Sequence, residues 1–231
     1  MIVGTWSPML DEAAAANEEM LLAFDQQRPV RIAIAPALFH EAGKLRRFTV
    51  SVMRALDEAG VDCFLPDLPG MNESLAPTHD QTLSHWKRQL AQFAKTIEAT
   101  HMLAIRGGAL LVPDALPGWR YAALEGAKLL STMVRSHVIE TREAGRTQTR
   151  EALLQEGRQK GISLAGWDLG PEMIRELETH ALANNALHKV IDQADIGGTA
   201  LWLLAEPGED RDQSQGLANA IAADLDPARK P

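Results

Sequence analysis

The amino-acid sequence predicts an α/β chain, a mostly parallel sheet with helices on both faces. Short apolar runs alternate with segments of helical periodicity, beginning at Val30-Arg31-Ile32-Ala33-Ile34-Ala35. Two-residue hairpin signals are lacking, so the strands are expected to run parallel, joined by right-handed crossovers. Small residues, Ala104 and Gly108, flank the point where the third run ends.

Taken in order, Val30–Ala35 is the first expected strand, and Pro36 closes it. Lys44 to Ala59 changes to helical spacing through Leu45, Phe48, Val52 and Leu56, with Gly60 placed as a C-terminal stop. Val61 to Leu65 reads as a strand ended by Pro66-Asp67-Leu68-Pro69-Gly70. After a polar loop, Leu83, Trp86, Leu90, Phe93 and Ile97 recur every three or four residues and mark an amphipathic helix. Thr100 to Ile105 supplies the third strand, and Trp119 to Leu124 fits a fourth. Glu125 to about Lys160 is mostly helical and polar, which suits a cap. Gly161 to Trp167 is strand-like, Pro171 opens a helix through Met173, Ile174, Leu177 and Ala181, and Thr199 to Ala205 is expected to be the last strand. A turn, Glu206 to Asp210, precedes a final helix through Leu217, Ile221 and Leu225. The expectation is one domain over 1–231 with a helical cap over about 125–182; Ala13 to Ala16 is the one low-complexity stretch.

In an open parallel sheet, ligands bind outside the carboxyl ends of the strands, so the loops after Ala35, Leu65, Ile105 and Ala205 are candidate sites. Ala104-Ile105-Arg106-Gly107-Gly108 has the shape of a nucleophile elbow, G-x-S-x-G, the turn found in α/β-hydrolases. A strand that bends abruptly into a helix brings the residues two before and two after the bend into contact, where only small side chains fit. The central residue then projects above the sheet at the helix's positive end. Here it is Arg106, whose guanidinium stays protonated and cannot attack a carbonyl. Two glycines that simply end a strand are the alternative reading.

The neighbouring loops offer further candidates. Pro36 to Lys44 lies where such enzymes build an oxyanion hole, and within it His40 and Glu41 are a candidate acid/base pair or a helix cap. Asp67 to Ser74 resembles the D-x-x-G-x-G-x-S loop of α/β-hydrolases, which makes Ser74 a candidate nucleophile, or it is a solvated turn. Glu206, Glu209 and Asp210 stand where a triad acid is expected, or are solvated. The last histidine is His188, so none follows the last expected strand, and the Ser…Asp/Glu…His order lacks its base.

Composition excludes other classes. Twenty-three Lys and Arg against 31 Asp and Glu give a net charge of −8, which disfavours nucleic acid and anionic lipid surfaces. No run of apolar residues is long enough to span a membrane, and the acidic N-terminal stretch does not read as a secretory signal. The single Cys63, inside an apolar run, reads as a small buried hydrophobe and fits a reducing, cytoplasmic location. Metal-ligand spacings, a phosphate-binding loop and the dinucleotide G-x-G-x-x-G are missing, so neither a metal nor a cofactor is expected.

These loops together resemble a family, the second of the two exosortase system-associated hydrolases. Its members are α/β-hydrolase-fold proteins encoded beside exosortase and exopolysaccharide genes in Gram-negative bacteria. The family's first loop runs roughly P-F-x-E-E-x-N-K-x-R-R, and Glu41, Lys44, Arg46 and Arg47 match it, with His40 for a glutamate and Gly43 for an asparagine. Its elbow, G-L-R-x-G-A-L-L, is similar to Ala104 through Leu111, arginine included. Asp67 to Gly70, Trp86 and Leu164 to Glu172 add to the resemblance, which spans most of 30–182. Pro113, after the elbow, and the unalignable segment 183–199 are departures.

The resemblance implies an α/β-hydrolase-like fold and a link to the exopolysaccharide or protein-sorting machinery. Combined with Arg106 and the missing histidine, it gives a catalytically degenerate protein. On this reading Arg106, Gly107, Gly108, Phe39, Lys44, Arg46 and Arg47 hold a small anionic ligand, or the cap docks a machinery protein. The alternative is an active esterase or acyl-transfer enzyme using His40, Glu41 and Ser74.

Overall fold

A computed structural model describes residues 1–8 and 18–226; the alanine run at 13–16 lies outside the described residues. Two strands that periodicity did not predict open the chain, β1 (Ile2–Trp6) and β2 (Glu19–Phe24), paired antiparallel. The expected alternation follows: β3 (Arg31–Ala35), α1 (His40–Glu58), β4 (Asp62–Pro66), a 3-10 turn at Thr78–Asp80, α2 (Leu83–Thr96) and β5 (His101–Ile105). A 3-10 segment, Arg106–Leu110, leads towards β6 (Gly118–Tyr121). Then come α3 (Gly126–Glu143), α4 (Arg150–Lys160), β7 (Ile162–Leu164), β8 (Trp167–Leu169) and α5 (Pro171–Thr179). The chain closes with β9 (His188–Ile191), α6 (Gln193–Ile196), a 3-10 turn at Leu201–Leu203 and α7 (Arg211–Leu225).

The main sheet has the order β1-β2-β4-β3-β5-β6-β9. From β4 to β9 every pairing is parallel, while β1 and β2 form an antiparallel margin. Strand residues alternate between two cores. Ile32, Ile34, Cys63, Leu65, Leu103 and Ile105 face α1 and α7, meeting Phe48, Val52, Leu56, Leu217 and Ile221. Ala23, Ala33, Ala35 and Ala104 face the other way. Those small residues leave depth for bulky partners: Trp86, Leu90 and Phe93 of α2, and Leu129, Met133, Ile174 and Leu177 of the segment between β6 and β9. That inserted segment therefore shares its core with α2. Cys63 is fully buried, and burial pushes its thiol pKa up, as suits an inert core residue.

Three expectations need correction. Thr199–Ala205 is not a strand: its centre is the 3-10 turn, with Leu201 buried but Leu203 77% exposed. A short apolar run does not reveal its own conformation, and the two left-handed glycines Gly197 and Gly198 steer the chain away from the sheet. The strand position at that edge is taken by β9, whose half-polar sequence, with Val190 56% exposed, gives no apolar signal. A two-residue hairpin does exist, at Ala165-Gly166, where both residues have positive φ (49° and 82°) and join β7 to β8. Finally, no full helix follows the elbow; the 3-10 segment ends at Leu110, just before Pro113.

Candidate functional site

β5 ends at Ile105, and Arg106 turns the chain with φ 54°, a left-handed conformation that costs a branched or long side chain roughly 1–3 kcal/mol. The turn is tight. A Cβ on Gly108 would lie 2.4 Å from the Ala35 carbonyl oxygen and 2.5 Å from that of Pro36, so the chain after β5 passes directly over the end of β3. Gly107 sits similarly against Leu38 and Leu129. The bend is sharp, and it is the end of β3, not Ala104 as the elbow pattern predicted, that lies nearest Gly108. The 3-10 segment after it is too short to supply the helix dipole expected there.

The loop after β3 supplies the other half of the site. Phe39 has φ 52°, is fully buried, and packs its ring against Trp86 and Trp167 at centroid distances of 5.6 and 5.7 Å. That anchor starts α1 at His40, earlier than the periodicity indicated, and puts Glu41 in the first turn. There the positive helix end favours its carboxylate. Arg106 donates from Nε to Glu41 Oε2 at 3.0 Å and from Nη2 to Oε1 at 2.8 Å, a bidentate pair. Its Nη1 donates to the Ala122 carbonyl oxygen at 2.9 Å, and the Trp202 ring lies 4.0 Å from its Cζ. The Arg106 and Glu41 side chains are 10% and 4% exposed. The elbow cation is thus neutralised and roofed from within.

The other candidates are also committed. Lys44 Nζ donates to the Trp202 carbonyl oxygen at 3.3 Å, tying α1 to the roof. Arg46 grips the buried carboxylate of Asp67, which also accepts from Asn72. Arg47 pairs with Glu209. His40 has a buried Nδ1 without a hydrogen-bond partner among the described residues, and burial lowers its pKa. It makes no hydrogen bond to Glu41, both of whose oxygens serve Arg106. Ser74 Oγ donates to Glu19 Oε1 at 2.8 Å and accepts from the N–H groups of Gly70 and Ala76, a role in shaping the loop. No hydrogen bond links it to a histidine. Among the acids expected to follow the last strand, Glu209 faces Arg47 and Arg211, and Asp210 caps α7.

Sequence reasoning missed Trp202, Tyr121 and the Ala122 carbonyl. Trp202 was hidden in the run read as a strand. Tyr121, at the end of β6, is fully buried with its hydroxyl unpartnered among the described residues, stacked on Phe48 and 6.5 Å from the Trp202 ring. Burial pushes its pKa up to about 12, against the pull of Arg106. His188, the last histidine, accepts from Arg120 at Nδ1 and donates from Nε2 to the Leu116 carbonyl oxygen, which fixes it in the β9 edge. Among the described residues no group of three or more His, Cys, Asp or Glu converges as a metal would need, and no helix is long and apolar enough to cross a membrane.

No protein-family model matches the chain, and no curated protein matches it. Solved structures do. The esterase domain of a Rhodothermus marinus protein is 13% identical with a TM-score of 0.54, and Est1E from Butyrivibrio proteoclasticus is 14% identical with a TM-score of 0.53. Each comparison covers 96% of this chain and 97% of the other. Mouse alpha/beta hydrolase domain-containing protein 10 is 14% identical with a TM-score of 0.50, over 82% of this chain and 77% of its own. At these identities the likeness establishes the α/β-hydrolase fold and nothing about activity.

Proposed function

We propose that this α/β-hydrolase-fold chain is catalytically degenerate and acts by binding. The observation that carries the reading is the Arg106–Glu41 pair: the place of a serine nucleophile is filled by a guanidinium, and that guanidinium is clamped by a carboxylate from the loop that would form an oxyanion hole. An acyl-enzyme cannot form on such a group. Residues 189–231 hold no histidine to serve as the base. The ligand proposed is a small anion, in keeping with the cations Lys44, Arg46, Arg47 and Arg106 on or beside α1; the resemblance to exosortase-associated proteins adds the exopolysaccharide or sorting machinery as a setting, with a cap over about 125–182 as a docking surface. An anion reaching Arg106 itself has to displace Glu41, which makes the inner cation the poorest of the four.

The active-esterase alternative predicts a reactive serine. Incubation with a fluorophosphonate probe and a panel of p-nitrophenyl esters separates the two. Our reading predicts no labelled serine and no turnover above buffer; labelling at Ser74 or any other serine, with matching hydrolysis, would overturn it.

A further inference from the structure

A second cationic feature lies away from the elbow, on the outer side of α1. Gly43, Arg47, Val50, Ser51 and Arg54 follow helical spacing along one face of α1 and, with Arg46, line a groove of about 580 Å³ whose opposite wall is Glu209 and Arg211, at the start of α7. The groove continues past Ser51 and Arg54 towards Glu58, Ser214 and Gln215. Its size is that of a small-molecule site.

The charge count within it is uneven. Arg46 is taken by Asp67, on the far side of its helix. Glu209 is shared between Arg47 and Arg211, while Arg54 makes no ion pair among the described residues. Three guanidinium groups, Arg47, Arg54 and Arg211, thus line the groove with Glu209 at this end and Glu58 further along, which leaves positive charge in excess in a chain whose net charge is −8. Asp210, which caps the Gln213 N–H, and Asp212, exposed in the first turn of α7, are negative neighbours that do not line the groove. A carboxylate ligand would merely duplicate Glu209. A phosphate offers oxygens in several directions to guanidinium forks arriving from two helices. Gly43 keeps the upper end open, since a Cβ there would meet nothing within 4 Å.

We propose that this groove binds the phosphate dianion of a phosphorylated small molecule or headgroup through Arg47, Arg54 and Arg211, with Glu209 holding two of the three in place. The proposal rests on the reading of the chain as a binder and gives its anion a place other than Arg106. It is tested on the intact protein by calorimetric titration with glycerol 3-phosphate, and by sedimentation with vesicles containing phosphatidic acid. Saturable binding is expected in at least one arm: the soluble phosphate identifies a metabolite, and vesicles alone identify a lipid headgroup.

Arg54→Ala is expected to weaken the binding about tenfold or more, since it removes a charge-assisted hydrogen bond. Arg175→Ala, at an exposed arginine paired with Glu172 on α5, should leave it unchanged. No binding in either arm, or equal affinity for Arg54→Ala and the parent, would overturn the groove, whatever the serine probe shows. Serine labelling alongside Arg54-dependent phosphate binding would overturn the degenerate reading and leave the groove standing.

Discussion

Arg106 is the residue on which the local physics turns. A lone buried guanidinium would be untenable, so the fold surrounds it with a carboxylate, a carbonyl and an aromatic face. Its identity and position were legible in the sequence; its partner was not, because Glu41 read as an acid/base group beside His40 and nothing in the spacing connects positions 41 and 106. Tyr121 is the opposite case, a buried hydroxyl without a hydrogen-bond partner among the described residues. An unsatisfied buried hydroxyl costs about 1–3 kcal/mol, so Tyr121→Phe is predicted to keep or raise the midpoint of urea unfolding. A drop of more than about 1 kcal/mol would show that the hydroxyl is satisfied after all.

Among the elements, the β3–α1–β4–α2–β5 succession was readable because each strand is a continuous apolar run and each helix keeps a regular apolar stripe. β9 and the 201–203 turn exchanged roles because an edge strand needs only one buried face, while a roof over Arg106 needs apolar side chains without a strand. β2 was overlooked although Met20 to Phe24 is apolar, its start lying next to the acidic stretch. The crossing of the elbow over β3 makes its own prediction. Gly108→Ala pushes a methyl into two backbone carbonyls that cannot yield, and should destabilise the fold by about 1–3 kcal/mol or more. Gly43→Ala, in open space within α1, should stabilise by roughly 0.5–1 kcal/mol. Equal unfolding midpoints for the two variants would show that the chains do not cross as described.

Taken together, the elements put two cationic features on one helix. The first turn of α1 supplies the Glu41 that pairs with Arg106, and its outer face carries Arg47 and Arg54. The net charge of −8 concealed the second feature, because a sum over the chain says nothing about where the arginines gather. At the end of β5 the chain's own side chains, Glu41 and Trp202, surround the Arg106 guanidinium. The closure itself is most directly measured by a double-mutant cycle on unfolding free energy, using Arg106→Met, Glu41→Gln and the pair. Each single change should cost about 3–5 kcal/mol by stranding a buried charge or its donors, and the double variant clearly less than their sum. Additive costs, or single variants as stable as the parent, would contradict the built-in pair and leave Arg106 open to a ligand.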